Sequence, residues 1–385
     1  MEDRPLITRV VLENYKSIAF CDVKLGPLSI LVGPNGAGKS NFLDALRFLS
    51  KLAYAPLASA IQERGGFLRL CYRGGPVAGS LGFRIEFKET AAEGHYSLRA
   101  MEDEEAGSSF GREGSFIRRN LSKSHFDTAQ SLNGDKSHLR LLREPEFDIV
   151  LELIRRFRFY HFNPRILRTP AHSSPEDLLS SDGSNLPNVL HHILARRRPV
   201  YERINQYLRV VNPSIALVEA REVLGYRTLF FKPTEAMPPD FDSSQMSDGT
   251  LTSLAILVAL FQRQAGAAVD LVGLEEPESA LHPAAAGALF DAMNEASSSV
   301  QVLATTHSAD LLDNKEVDTG AILAVELHEG ATRIGHVDET GRQAVRDRLY
   351  TAGELMRMNY LRPEVNRAPD PREIESILFG GPVPA

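Results

Sequence analysis

At 385 residues, 43% hydrophobic and 24% charged, the chain has the composition of an ordinary globular protein, with room for one large domain or two or three smaller ones. A net charge of −7 argues against a whole-molecule polyanion binder, and only two cysteines, Cys21 and Cys71, argue against a disulfide scaffold or a zinc cluster. No apolar run is long enough to span a bilayer and MEDRPLITRVVLENY lacks the layout of a secretory signal, so the expectation is a cytoplasmic protein without a membrane partner.

In chain order, ITRVVLENY is β-rich and partly alternating, and LSILVG is a short apolar strand ending in glycine. KSNFLDALRFLSKLA follows with helical spacing, placing Phe42, Leu46 and Leu49 on one face. Residues from about Gly66 to Phe87 read as strands with Gly-rich turns. The polar stretches ETAAEGHYSLRAMEDEEAGSSFGREGS and SKSHFDTAQSLNGDKSH read as loops or mobile segments. EPEFDIVLELIRRFRFYHF is helical and then extended, and NLPNVLHHILARRRPVYERINQYLRVV is a helix pair broken near Pro199. The basic clusters within them, Arg155 to Phe159 and Ala195 to Pro199, read as solvated helix faces. ALVEAREVLGYRTLFFKP is a hairpin turning at Gly225. SDGTLTSLAILVALFQRQ opens with capping residues and is apolar all round, hence a buried helix. VDLVGL and VQVLATTH flank a helical segment as in parallel α/β units, and AILAVELHEGATRIGHV is a terminal hairpin.

Three motifs carry chemistry. Gly33-Pro34-Asn35-Gly36-Ala37-Gly38-Lys39-Ser40 fits the phosphate-loop pattern G-x-x-x-x-G-K-[ST] in full, between a strand and a helix as the pattern requires. Its glycines let backbone N–H groups turn toward a β-phosphate, Lys39 reaches the β- and γ-oxygens, and the Ser40 hydroxyl is placed to ligate Mg²⁺. The second motif is VDLVGLEEPESALHP, an apolar strand that ends in adjacent acids. Unpaired carboxylates near a core are costly, so something must meet them: a metal ion, an attacking water, a basic side chain or solvent. Beside a phosphate loop, Glu275 suits the Mg²⁺ side and Glu276 the general base that polarises water. The third is a pair of turns around that strand. Ser247, Asp248 and Gly249 open a helix as a second anion site, and His307 in LATTHS is placed to sense a γ-phosphate.

LENYKSI, GPNGAGKSNFLDAL, SDGT, EEPESALHP and TTHS together resemble the ABC-type ATPase superfamily, in the branch containing SMC, RecF and OLD-type ATPases. The resemblance covers about Ile7 to Asn41 and Gln245 to Asp310. It implies an α/β fold: a P-loop ABC-type ATPase head with a mixed-sheet lobe and an inserted, mostly helical lobe. The corresponding division is 1–90 with the phosphate loop, 91–240 as a partly flexible inserted lobe of helices and a hairpin, and 241–385 with the signature, acid strand and switch histidine. It further implies ATP and Mg²⁺ as cofactors, and head-to-tail dimers in which Ser247 and Gly249 touch the γ-phosphate on the partner's loop. Asn41 extends the nucleotide contacts, and PESALHP is the dimer-crossing loop. The glutamine that joins the two lobes in this family has no clear counterpart; Asn163 and Arg165 lie in the corresponding region.

The departures matter too. There is no long coiled coil as in SMC proteins, the signature lacks a transporter's paired glycines, and the chain after His307 is too short for an OLD nuclease domain. The expected function is an ATP-driven dimerising switch, a homodimer or larger, that controls a separately encoded nuclease or toxin in a defence or toxin-type system. LYTAGELMRMNYLRP resembles the tail of such stand-alone ATPases. The alternative is a RecF-like repair ATPase that clamps DNA directly. A transporter motor and a non-catalytic scaffold are further options.

Overall fold

The computed structural model describes residues 5–74, 79–89, 92–103, 108–119, 122–131, 148–234, 239–279, 281, 283–313, 317–364, 367 and 369–380. The strands are β1 (Leu6–Tyr15), β2 (Ile18–Lys24), β3 (Leu28–Val32), β4 (Ser80–Lys88), β5 (Ala92–Asp103), β6 (Ser108–Arg119), β7 (Ser122–Ser131) and β8 (Phe157–Tyr160). They continue as β9 (Ala171–His172), β10 (Ile215–Val223), β11 (Tyr226–Pro233), β12 (Phe241–Asp242), β13 (Leu271–Glu275), β14 (Gln301–Thr306), β15 (Ile322–His328) and β16 (Ala331–His336). The helices are α1 (Lys39–Leu52), α2 (Leu57–Gln62), α3 (Phe67–Leu70), α4 (Asp148–Arg155), α5 (Pro164–Leu167), α6 (Leu186–Arg196) and α7 (Arg198–Val211). After them come α8 (Asp248–Phe261), α9 (Pro283–Ala296), α10 (Ala309–Leu312), α11 (Glu339–Arg346), α12 (Ala352–Arg357) and α13 (Pro371–Phe379). The chain divides into two compact units, one formed by 2–157, 318–347 and 358–385 and the other by 158–317 and 348–357.

In the first unit an antiparallel sheet runs β2-β1-β4-β5-β6-β7. Val10 pairs with Val23 on one side and Ile85 on the other, and all three are buried. Helix α1 buries Phe42, Leu46 and Leu49 as the spacing predicts, and also Leu43, Ala45, Phe48 and Leu52. The Phe48 ring stacks on Phe83 at 5.4 Å and Tyr15 meets Phe83 edge-on at 5.5 Å, an offset geometry that aromatic quadrupoles favour. Strand β3 pairs in parallel with β15, and β15 pairs with β16 as a hairpin. That hairpin turns at Glu329 and Gly330, with φ of 49° and 80°. Positive φ at both central residues is what a two-residue turn needs to match strand twist.

The polar stretches expected as loops are instead strands β5, β6 and β7; the end of the second stretch lies outside the described residues. On β5, Ala92, Tyr96, Leu98 and Ala100 alternate into the core, a period-2 signal that the intervening polar residues obscured. Two of those polar residues, Ser97 and Arg99, face helix α13. Ser97 and the buried Arg84, only 1% exposed, donate to the Leu378 carbonyl, and Arg84 also donates to the Gly380 carbonyl at 2.8 Å. Glu375 of α13 pairs with Arg99 and Arg112. A helix end rich in free carbonyls satisfies buried donors, so this face of the sheet carries polar side chains at little cost.

In the second unit the parallel strands β13 and β14 pair from Leu271↔Gln301 to Glu275↔Thr305, with β8 beyond β13. Helix α8 is buried from Thr250 to Phe261, as its all-round apolar sequence predicts. Helices α6 and α7 break at Arg197, and Pro199 lies in the first turn of α7, where a missing N–H costs nothing. Strands β10 and β11 form the expected hairpin with Gly225 at its turn. Gly273 in the middle of β13 has a packing role: a Cβ there would lie 2.3 Å from the Phe159 ring. Gly273→Val should therefore lower unfolding free energy by about 1–3 kcal/mol, read as a reduced urea midpoint.

Candidate functional site

The glycine-rich loop lies in the first unit, between the fully buried β3 and α1. Two of its glycines are required sterically. A Cβ on Gly33 would fall 2.0 Å from the Val325 carbonyl oxygen, and Gly38 sits at φ 107° with its Cβ position 2.1 Å from Thr332 Oγ1. Pro34, Asn35 and Gly36 are exposed at the crest, and Ser40 is exposed in the first turn of α1. Gly38 is the N-cap and supplies no side-chain acceptor, so the positive end of the helix dipole is left for an anion. Lys39 is 5% exposed, with Nζ donating to the carbonyls of Gly33 at 2.8 Å and Pro34 at 3.0 Å. An ammonium buried beside neutral carbonyls gains strongly from a nearby phosphate. The loop therefore fits a nucleotide's phosphates.

A hydrogen-bond chain fixes this loop from both sides. Thr332 Oγ1 donates to the Ala37 carbonyl at 2.8 Å, so the Ser17 hydroxyl, 2.7 Å away, must donate to Thr332. Asn41 Nδ2 in turn donates to Ser17 Oγ at 2.6 Å. Asn41, expected as a nucleotide contact, thus spends its amide on the frame of the loop. Thr332 was not foreseen: no local pattern marks a hairpin threonine as a loop support. Thr332→Val removes the donor and leaves the Ala37 carbonyl unpaired, and should cost about 1–3 kcal/mol of stability. Titration with a fluorescent ATP analogue should show affinity falling about tenfold, whereas Thr332→Ser should stay near wild type.

The acid turn and the predicted histidine lie in the second unit. Strand β13 ends at Glu275, and Glu276 then adopts φ 43°, a left-handed conformation costly for a residue with a long side chain. Its N–H donates to both the carbonyl and Oγ1 of Thr305, at 3.0 and 3.2 Å. Its carboxylate lies 3.1 Å from His307 Nδ1. The structure thus joins the two residues that the sequence marked as base and sensor. Glu278, expected in a dimer-crossing loop, is 7% exposed and accepts from Thr306 Oγ1. Ala280 and His282 of that loop lie outside the described residues.

The signature turn belongs to the same unit. Ser247 is the exposed N-cap of α8 and accepts from the Thr250 N–H at 3.3 Å. Asp248 pairs with Arg168 Nη2 at 2.5 Å, and the same guanidinium donates to the Met246 carbonyl at 2.8 Å. Arg168 therefore braces the turn and offsets the charge of Asp248. It is a second unforeseen residue, since nothing in HFNPRILR singles it out. Asn163 caps α5 by accepting from the Arg165 N–H at 3.0 Å, and both residues are exposed.

A family model described as "AAA domain, putative AbiEii toxin, Type IV TA system" matches residues 28–313, a span that runs from β3 through the histidine turn. The chain belongs to that family. It is an SMC/RecF-like ABC-type ATPase head in fold. Over 83 residues it is 34% identical to the DNA replication and repair protein RecF of Magnetococcus marinus, a match spanning 21% of this chain and 22% of that protein. A solved SMC head bound to the C-terminal winged-helix domain of ScpA covers 87% of this AAA-family chain and 98% of its own, with TM-score 0.53 and 15% identity. The SMC head with an extended coiled coil, bound to the C-terminal domain of ScpA and derived from Pyrococcus furiosus, covers 90% and 99%, with TM-score 0.54 and 12% identity. Among the described residues of this family member, no helix is long and apolar enough to cross a membrane.

Proposed function

We propose that this AAA-family chain binds ATP with Mg²⁺, hydrolyses it, and uses the bound state to bring two copies together as a switch. The pairing of Glu276 with His307 at 3.1 Å, on a backbone held left-handed, carries the reading. Strain of that kind concentrates where a side chain must be aimed. Bound Mg²⁺ would neutralise phosphate charge, with Ser40 and Glu275 as its protein-side ligands. Lys39 holds the β- and γ-phosphate oxygens against the amides of Gly36 to Ser40. Glu276 takes the proton of a water that attacks the γ-phosphorus in line, and His307 orients that carboxylate and registers the γ-phosphate. Ser247, Asp248 and Gly249 serve as the second anion site, facing the nucleotide of another copy.

The output is control of a separately encoded effector, a nuclease or toxin. The family's toxin–antitoxin description supports this, as does an SMC head of the same fold having been solved with a protein partner. A second reading, direct clamping of DNA, draws on the RecF match and on the exposed Arg196, Arg197 and Arg198.

Glu276→Gln should lower turnover by about 100-fold or more while ATP still binds, and should accumulate a dimer with ATP on size-exclusion chromatography with light scattering. Unchanged turnover would remove Glu276 as base, and a monomer with ATP bound would remove the switch. Gapped DNA in a salt series separates the readings: salt-sensitive stimulation of the ATPase supports the clamp, and its absence supports the effector switch.

A further inference from the structure

We propose that Glu278 is a positioning residue for hydrolysis, the middle rung of a lacing that holds His307 against Glu276. This inference rests on the ATPase reading above. Three consecutive residues at the end of β14 each make a contact with the acid turn. Thr305 accepts the Glu276 N–H, Thr306 donates its hydroxyl to Glu278 Oε1, and His307 meets the Glu276 carboxylate. The outer rungs involve Glu276 itself; the middle one does not.

The Ser308 N–H donates to Thr306 Oγ1 at 2.9 Å, and the hydroxyl lies closer to Glu278 Oε1 than to its other acceptor, the Ser308 carbonyl at 3.5 Å. This chain ties the residues on either side of His307 to the acid turn, so the His307 backbone cannot shift away without breaking it. The turn is braced in the same place: the Ser279 N–H donates to the Glu276 carbonyl at 3.0 Å and the Leu281 N–H to the Glu278 carbonyl at 2.8 Å.

The setting of Glu278 fits a holding role rather than contact with the nucleotide. It is 7% exposed, and its Oε2 is buried with no hydrogen-bond partner among the described residues. Burial pushes its carboxyl above the ordinary range, opposed by the Thr306 bond and the nearby His307. A neutral amide of the same shape keeps the Oε1 acceptor and so preserves the rung. Alanine removes it and leaves the Thr306 hydroxyl only the longer contact to the Ser308 carbonyl at 3.5 Å.

The test compares Glu278→Gln, Glu278→Ala and Thr306→Val in steady-state ATPase assays on the full chain. Glu278→Ala and Thr306→Val should each lower kcat by about 10-fold to 100-fold with KM for ATP within about twofold, as small misplacements of catalytic groups do. The double variant should lose no more than either single one, because both break the same rung. Glu278→Gln should retain turnover within about threefold. Wild-type kcat in Glu278→Ala, or an equal loss in Glu278→Gln, would overturn the assignment. Amide hydrogen exchange on the nucleotide-free protein separates this from failure of the ATPase reading. Exchange at Glu276 and Ser308 should rise in Glu278→Ala and not in Glu278→Gln, whether or not the wild type hydrolyses ATP. Unchanged exchange in Glu278→Ala would also overturn it.

Discussion

A glutamate held at φ 43° cannot stay there on its own preference, since the left-handed region costs such a residue about 1–3 kcal/mol. At Glu276 the backbone N–H is shared between two acceptors on Thr305, and the side chain meets His307. Both depend on the parallel register of β13 and β14, which sets Glu275 opposite Thr305. The register in turn requires an unobstructed β13, and Gly273 provides it by leaving room for the Phe159 ring. A packing constraint in a buried strand thus reaches the acid turn through a few hydrogen bonds.

The glycine-rich loop follows the same logic with different parts. Its backbone is useful to an anion only if it keeps its N–H groups turned outward, and glycine alone would leave it loose. Rigidity comes from outside the motif: the Val325 carbonyl crowds Gly33, and the Thr332 hydroxyl takes the Ala37 carbonyl while filling the space beside Gly38. The β15–β16 hairpin therefore supports a loop nearly three hundred residues earlier in the chain. Ser17 and Asn41 complete the frame.

Buried polarity is the common theme of the remaining surprises. Arg84, Ser97 and the arginines facing Glu375 find partners on one short helix, α13, and its C-cap at the far end of the sequence. Thr306 meets one carboxylate oxygen of Glu278 between two strand ends. Arg168 braces the signature turn from α5. Each is a case in which a specific partner, supplied by the fold, meets a polar group.

Local chemistry was legible in the sequence. The strand–loop–helix order around Lys39, the capped and wholly apolar α8, the two hairpin turns and the acid-ended strand all follow from periodicity, glycine placement and capping, which act over a few residues. So does the choice of Glu276 and His307 as candidates, although only the parallel pairing of their strands places them 3.1 Å apart. Strands β5 and β6 were not legible, because Ser97, Arg99 and Arg112 draw partners from a helix over 250 residues away. Thr332, Arg168 and Glu278 were hidden for the same reason. A hydroxyl, a guanidinium or a third glutamate has no meaning in a local pattern until the fold decides which carbonyl, turn or threonine it faces.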